Sequence, residues 1–237
     1  MEKVTVIIPT YNRPHTLYST IRLMHSNLVY DGPVQFLVGD DSGKLSFETI
    51  TRPMVEDLSG FMDIKLLSGP ARGLGANLNM LIEAADSRLI LQMDDDHFLV
   101  KPLDINQFAD DLLQFKNKVG WIRLFLGTEE DLNNDDPFYN FNAWMMERYW
   151  YPMPNRYELY IPSNRPHLKH VQFHHYHGSY DEGVKLGKTE TNFCHYYADN
   201  YEKYHSHQDF PWVVIPVAAP SFDTWEHVGD SWQKQGL

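Results

Sequence analysis

Over residues 1–126, short runs of aliphatic and mostly β-branched residues alternate with stretches whose apolar side chains recur at helical spacing. A run such as Val4–Ile8, β-branched throughout and polar only at Thr5, reads as buried on both sides. A parallel sheet covered by helices meets that demand. Read this way, Val4–Ile8 is a first strand, broken by Pro9-Thr10-Tyr11-Asn12, and Pro14 opens a helix whose apolar face is Leu17, Ile21, Met24 and Leu28. A strand at Val34–Val38 follows, then a helix through Phe47, Ile50, Val55 and Leu58 with a bend at Pro53. A strand at Ile64–Leu67, a helix carrying Leu74, Leu78, Leu81, Ile82 and Ala85, and a strand at Arg88–Met93 continue the pattern. The expected fold is α/β, with a mostly parallel central sheet flanked by helices.

The character changes from about Asn133 to Tyr180. Prolines at 137, 152, 154, 162 and 166 punctuate a stretch dense in aromatic residues, which reads as an irregular layer. Trp144, Tyr149, Trp150 and Tyr151 are expected to pack that layer rather than form an exposed stacking surface. His167, His170, His174, His175 and His177 read as a strand with neighbours on opposite faces, and no cysteine joins them. A polar binding surface or a plain strand is expected there, not a zinc site. A helix over Thr189–His205, a strand at Trp212–Val217 and a tail from Trp225 through His227 to Trp232 complete the chain.

In an open parallel sheet, ligands bind beyond the carboxyl ends of the strands. Three loops end strands here: Pro9-Thr10-Tyr11-Asn12, Asp40-Asp41-Ser42 and Asp94-Asp95-Asp96. Clustered carboxylates repel unless a cation sits among them, and oxygen ligands suit Mg²⁺ or Mn²⁺. The net charge of −12 argues against a nucleic-acid partner and suits a chain that handles anionic phosphates through a divalent cation. The one cysteine, Cys194, reads as packing and points to a reducing, cytoplasmic setting. There is no apolar run of membrane-spanning length, and the first residues enter a strand rather than a leader.

Four motifs in order carry a resemblance. Val-Ile-Ile-Pro-Thr-Tyr-Asn-Arg-Pro at 6–14, Val-Gly-Asp-Asp-Ser at 38–42, Gly-Leu-Gly-Ala-Asn-Leu-Asn at 73–79 and Leu-Ile-Leu-Gln-Met-Asp-Asp-Asp at 89–96 resemble those of family 2 glycosyltransferases with the GT-A fold. The resemblance spans about residues 3–100. It implies one domain over residues 1–237, with a nucleotide-sugar-binding half at 1–126 and an acceptor-binding, catalytic half at 127–237. It implies that Pro9, Thr10 and Tyr11 cradle the base and ribose and that Asp41 accepts hydrogen bonds from the base. Gly73 would allow close approach of the chain, Asn79 would face the nucleotide, and Asp95 would lie with the donor-binding residues. Asp94 and Asp96 would be the Asp-x-Asp pair, Asp94 towards ribose and metal and Asp96 on the metal.

Leu78 stands where the family often has Arg. His97 stands where a further Asp is frequent, and reads either as an added metal or acceptor contact or as a solvent-facing histidine. Glu190, opening the helix after Gly187, takes the place of the general base, with Asp181 and Glu182 as alternatives. His227, in His-Val-Gly-Asp-Ser-Trp, resembles the segment that completes the metal shell. The implied activity is metal-dependent transfer of a sugar from a nucleotide-diphosphate donor, read as UDP-linked, to an acceptor hydroxyl with inversion. The rivals are a retaining transferase and a nucleotide-sugar-binding module without turnover. A dinucleotide fold is disfavoured because Gly73-Leu-Gly75 follows a later strand and lacks the third glycine.

Overall fold

The computed structural model describes residues 1–115, 118–125, 143–146, 149–152, 162, 164–185, 187–207, 211–216 and 224–229. The fully buried run at the start forms β1 (Val4–Thr10), which lies between β3 (Val34–Asp40) and β5 (Leu89–Gln92), parallel to both. Because strand side chains alternate, Val4, Val6 and Ile8 enter one core and Ile7 the other. The first core is completed by Leu17, Ile21 and Met24 of α1 (Pro14–Asn27), Val55 and Leu58 of α3 (Arg52–Leu58), and Ala109 and Leu112 of α5 (Asn106–Gln114). The second takes Leu78 and Leu81 of α4 (Leu74–Ala84), Phe173 of α6 (Gln172–His177), and Phe193 and Tyr197 of α7 (Lys188–Tyr204). Leu78, fully buried, is committed to that core.

Among the described residues one nine-stranded sheet runs through both halves, in the order β4-β3-β1-β5-β11-β8-β12-β10-β9. Its remaining members are β4 (Ile64–Ser68), β8 (Val119–Arg123), β9 (Ala143–Met146), β10 (Tyr149–Pro152), β11 (His167–His170) and β12 (Trp212–Pro216). β4, β3, β1, β5, β8, β12 and β9 point one way; β11 and β10 run against them. The sheet is therefore mostly parallel, as the alternation of elements implies. Two short pairs lie outside it: β2 (Leu28–Val29) with β7 (Leu103–Asp104), and β6 (His97–Leu99) with β13 (Trp225–His227). No helix among the described residues is long and apolar enough to cross a membrane.

Three local expectations change. Pro9 does not break β1 but continues it in register with Gly39. β5 ends opposite Ile7, so on that flank no ladder bond is asked of the proline nitrogen. The bend at Pro53 takes the form of a wider turn: α2 (Lys44–Ser46) passes through a π-helical segment, Phe47–Thr51, into α3. A proline lacks the N–H that a regular ladder needs, and a π-turn absorbs the mismatch. The histidine run is a strand only as far as His170; His174, His175 and His177 lie on α6, which puts Phe173 and His177 together on the buried face. Tyr149 is buried and donates to Asp111 Oδ2 at 2.5 Å, a packing role. The side chains of Trp144, Trp150 and Tyr151, the prolines at 137 and 154, and residues 217 and 230–232 lie outside the described residues.

Two glycines at the start of α4 have different tasks. Gly73 adopts φ 86°, which other residues rarely accept, and an added Cβ there meets nothing nearer than 4.0 Å. The close approach expected of it belongs to Gly75, where a Cβ would stand 1.9 Å from the Asp181 carbonyl oxygen. That backbone has to shift if any side chain is added, so Gly75→Ala should lower stability by about 1–3 kcal/mol. Gly43, with nothing within 4 Å of an added Cβ, is the control: Gly43→Ala should be neutral or stabilising by up to about 1 kcal/mol. Urea unfolding of the two variants checks the contrast. Equal midpoints would show that α4 does not press on the Asp181 segment as tightly as the geometry says.

Candidate active site

The three loops meet on one rim because β1, β3 and β5 are adjacent and parallel. Each aspartate after β5 has a different environment there. Asp95 turns inward: Thr10 Oγ1, at the end of β1, donates to its Oδ2 at 2.5 Å, and Thr20 Oγ1 of α1 donates to its carbonyl at 2.6 Å. Burial pushes the Asp95 carboxyl up to about 6, against the Thr10 hydrogen bond. Asp95 and Thr10 therefore brace the rim from beneath rather than face a ligand. Asp94 has one carboxylate oxygen buried with no hydrogen-bond partner. Burial, then the charges of Asp96, Asp95 and Glu190, raise its pKa well above the ordinary carboxylate value. An orphaned buried oxygen among like charges is a place where a cation fits.

Asp96 has the opposite balance. Burial works against its charge, but the imidazoles of His227 and His97 outweigh it and hold the carboxyl below its usual range. His97 Nδ1 lies 3.3 Å from Asp96 Oδ1 and His227 Nε2 lies 3.6 Å from Oδ2. One potential ligand atom each from Asp96, His97 and His227 lies within 4.8 Å of the others, the only such cluster of three among the described residues. β6 and β13 explain the convergence: His97 and His227 are register partners, their rings stack at 4.7 Å, and Val228 N–H donates to the Asp96 carbonyl. His97 is buried rather than solvent-facing, and burial lowers its pKa against the pull of Asp96, which leaves a lone pair available. One carboxylate and two imidazoles suit Mn²⁺ better than Mg²⁺. Asp94 stands beside this cluster, outside it.

Tyr11 is 64% exposed at the tip of the first loop. Asp41 accepts hydrogen bonds from Ala71 N–H at 2.6 Å and Gly73 N–H at 3.0 Å, so its carboxylate ties the loop before α4 to the end of β3. Asn79 faces across to the second half instead of into the rim: it donates to the Tyr180 carbonyl and accepts from the Tyr180 N–H. Glu190 sits in the first turn of α7, where the Asn164 N–H donates to its Oε1 at 2.8 Å, and its charge is felt at Asp94 and at Tyr180. Of the alternative bases, Asp181 accepts from Asn192 and Tyr196 and so holds α7, while Glu182 pairs with Arg72 at 2.7 Å.

Three histidines of the run, His167, His170 and His177, are buried, while His175 is exposed. Lys169 is completely buried, donating to Gln92 Oε1 at 2.6 Å and lying over Trp121 at 4.7 Å and Tyr180 at 5.5 Å. Burial drives its pKa well below the ordinary lysine value. Burial and then Lys169 do the same to His167, which stacks on Trp121 at 3.5 Å. Among the described residues this run forms no metal cluster. Two rim residues carry little signal in the sequence: His97 is a departure from a pattern that fits a metal or acceptor contact and a solvent-facing side chain alike, and Arg13, whose Nη1 lies 2.7 Å from Asp96 Oδ2, is only one letter of a motif.

The sequence profile of Glycosyl transferase family 2 matches residues 5–180. No relative matches among curated protein sequences. Among solved structures, residues 1–349 of TarS from S. aureus superpose with TM-score 0.56 at 15% identity, covering 90% of this chain and 57% of that one. PcManGT, a mannosyltransferase from Pyrobaculum calidifontis solved with GDP-Man and Mn²⁺, gives TM-score 0.55 at 16% identity, covering 93% of this chain and 58% of that one. GalNAc-T7, solved with UDP, GalNAc and Mn²⁺, gives TM-score 0.64 at 10% identity, covering 91% of this chain and 42% of that one. This chain thus spans little more than half of the TarS and PcManGT structures and less of GalNAc-T7, with the fold in common. With a profile match that runs from β1 to Tyr180 and takes in all four motifs, the chain belongs to the family 2 glycosyltransferases.

Proposed function

We propose that this chain transfers a sugar from a nucleoside-diphosphate donor to an acceptor hydroxyl in a reaction that depends on a divalent cation. One observation carries the reading: Asp96, His97 and His227 converge within 4.8 Å beside an orphaned Asp94 oxygen, at the carboxyl ends of parallel strands. The neighbours solved with GDP-Man and Mn²⁺, with UDP, GalNAc and Mn²⁺, and with UDP-GlcNAc support it. Tyr11 and Asp41 take the base, Tyr11 by its exposed ring. Pro9, Thr10, Asp95 and Gly73 shape the cradle from beneath, and Asn79 positions the Tyr180 segment. Asp96, His97 and His227 would hold the cation, with Asp94 beside them as a further ligand or ribose contact. A divalent cation bound there stabilises the departing diphosphate as a Lewis acid. Glu190, oriented by the Asn164 N–H, accepts the proton of the acceptor hydroxyl as its oxygen attacks the anomeric carbon from the face opposite the diphosphate. That displacement inverts the anomer. The buried lone cysteine, Cys194, which donates to the Pro162 carbonyl, fits a reducing, cytoplasmic setting.

Asp96→Asn should abolish Mn²⁺-dependent stabilisation by UDP- and GDP-sugars in thermal-shift titrations, while the wild type is stabilised by RT ln(1 + [L]/Kd). A variant that keeps its full Mn²⁺ response would remove the cation from this cluster. Because Asp96 accepts from Arg13 and faces two imidazoles, this substitution should also lower the melting temperature of the cation-free protein.

Glu190→Gln should leave donor and Mn²⁺ binding intact and reduce turnover by about 10²–10⁴-fold. The anomeric configuration of the product, read by NMR, tests the mechanism itself. A product that retains the donor's configuration would end the role given to Glu190 and favour the retaining alternative.

A further inference from the structure

His167 has no part in the chemistry of the rim, yet it closes the turn that holds Glu190. The Asn164 N–H donates to Glu190 Oε1 at 2.8 Å. A backbone donor has no rotamer of its own, so it is aimed by the turn it belongs to. That turn is short and restrained at each step. Arg165 precedes a proline, which favours extended backbone, and the ring of Pro166 fixes its own φ. The Pro166 carbonyl accepts the Leu124 N–H at 2.9 Å, and the Arg165 carbonyl accepts from His167 Nδ1 at 2.8 Å. His167 itself opens β11 in register with Gln92 and Arg123, fully buried, its ring stacked on Trp121 at 3.5 Å. One end of the turn thus rests on the sheet while the other faces Glu190.

A carbonyl oxygen only accepts, so the hydrogen of the bond to Arg165 sits on Nδ1. Burial, then the nearby Lys169, lower the His167 pKa well below the ordinary histidine value, and the neutral ring keeps this single N–H. The stack on Trp121 is a task any aromatic ring can perform. The bond back across two residues needs a donor at the Nδ1 position. We propose that His167 is a positioning residue for the general base: its Nδ1–H holds the Arg165 carbonyl and so fixes the turn that aims the Asn164 N–H at Glu190. The inference rests on the role given to Glu190 above. Glu190 takes the proton as the acceptor oxygen bonds to the anomeric carbon and the bond from that carbon to the diphosphate breaks, its electron pair leaving with the diphosphate. A carboxylate free to swing spends less time in that geometry, which lowers turnover without weakening the donor.

Two substitutions separate the hydrogen bond from the ring. His167→Phe keeps the stack and loses the donor; His167→Asn keeps an N–H near the place of Nδ1 and gives up the stack. Release of UDP or GDP from a panel of UDP- and GDP-sugars in saturating Mn²⁺, with water as the acceptor, reads kcat and KM for each. The same variants are measured again in combination with Glu190→Gln. His167→Phe should lower kcat about 10–100-fold and leave the donor KM within about twofold of wild type. His167→Asn should recover most of that loss. In the Glu190→Gln protein His167→Phe should have no further effect, because the group it positions is gone. If the phenylalanine variant does not fold, His167→Gln replaces it, since its amide stands nearer the place of Nε2 than of Nδ1; its kcat should fall below that of His167→Asn. Turnover that follows the ring, with Phe equal to or better than Asn, makes His167 a packing residue and overturns the inference. So does a loss that persists undiminished in the Glu190→Gln protein. Wild-type turnover in Glu190→Gln alone overturns the role of Glu190 and the inference with it, and a wild type that releases neither UDP nor GDP overturns the donor reading beneath both.

Discussion

Three carboxylates side by side in a half-dry rim cannot all stay ionised without compensating charge, and at Asp94–Asp96 the compensation comes from three directions. Asp95 is turned down onto Thr10 and α1 by hydrogen bonds, with Arg13 Nη1 3.4 Å from its Oδ1. Asp96 is surrounded by Arg13, His97 and His227. Asp94 is left with a buried oxygen that nothing in the chain satisfies. The other elements of the rim follow from this division. α1 has to approach closely enough for Thr20 to reach the Asp95 carbonyl, and β13 has to return beside β6 for His227 to reach Asp96.

The second half of the chain is fastened to the first by polar contacts at the same rim. Asn79 takes both backbone groups of Tyr180, Gly75 lets the Asp181 carbonyl press against α4, and Asp181 in turn holds Asn192 and Tyr196 of α7. These contacts hold α7, whose first turn carries Glu190. Beneath it, Tyr180 reaches Gln92, which accepts from the buried Lys169. A lysine in a dry core is tolerated because burial favours its neutral form and its amine still donates to Gln92.

What the sequence shows of the fold is what is encoded locally. β1, β3, β4 and β5 and the helices between them are legible because each apolar run or helical stripe carries its own signal, and the rim follows from their parallel order. Pro9 misleads because proline is a breaker only where its N–H is wanted, which depends on how far β5 extends. The histidine run misleads because alternation over a few residues does not separate a strand from a short helix, and His177 is buried by α6 packing against α7. Asp95 and Asn79 belong to motifs rightly located, yet their side chains point to structural partners that no spacing reveals. Arg13 was legible only as a letter in a motif, since its charge matters through two aspartates more than eighty residues away.

His97 shows how far a departure from a family pattern can be interpreted once the pairing partner is known. As an isolated change from Asp to His it is ambiguous. In the structure it is the register partner of His227, so the short β6–β13 ribbon places two imidazoles on one side of Asp96. Replacing a carboxylate by an imidazole there removes one like charge from a rim that already carries three aspartates and Glu190. It also exchanges a hard oxygen for a nitrogen, which shifts preference from Mg²⁺ towards Mn²⁺. The same substitution therefore eases repulsion in the cation-free rim and narrows the choice of cation. Burial of His97 favours the neutral imidazole, the form with a lone pair to offer a cation.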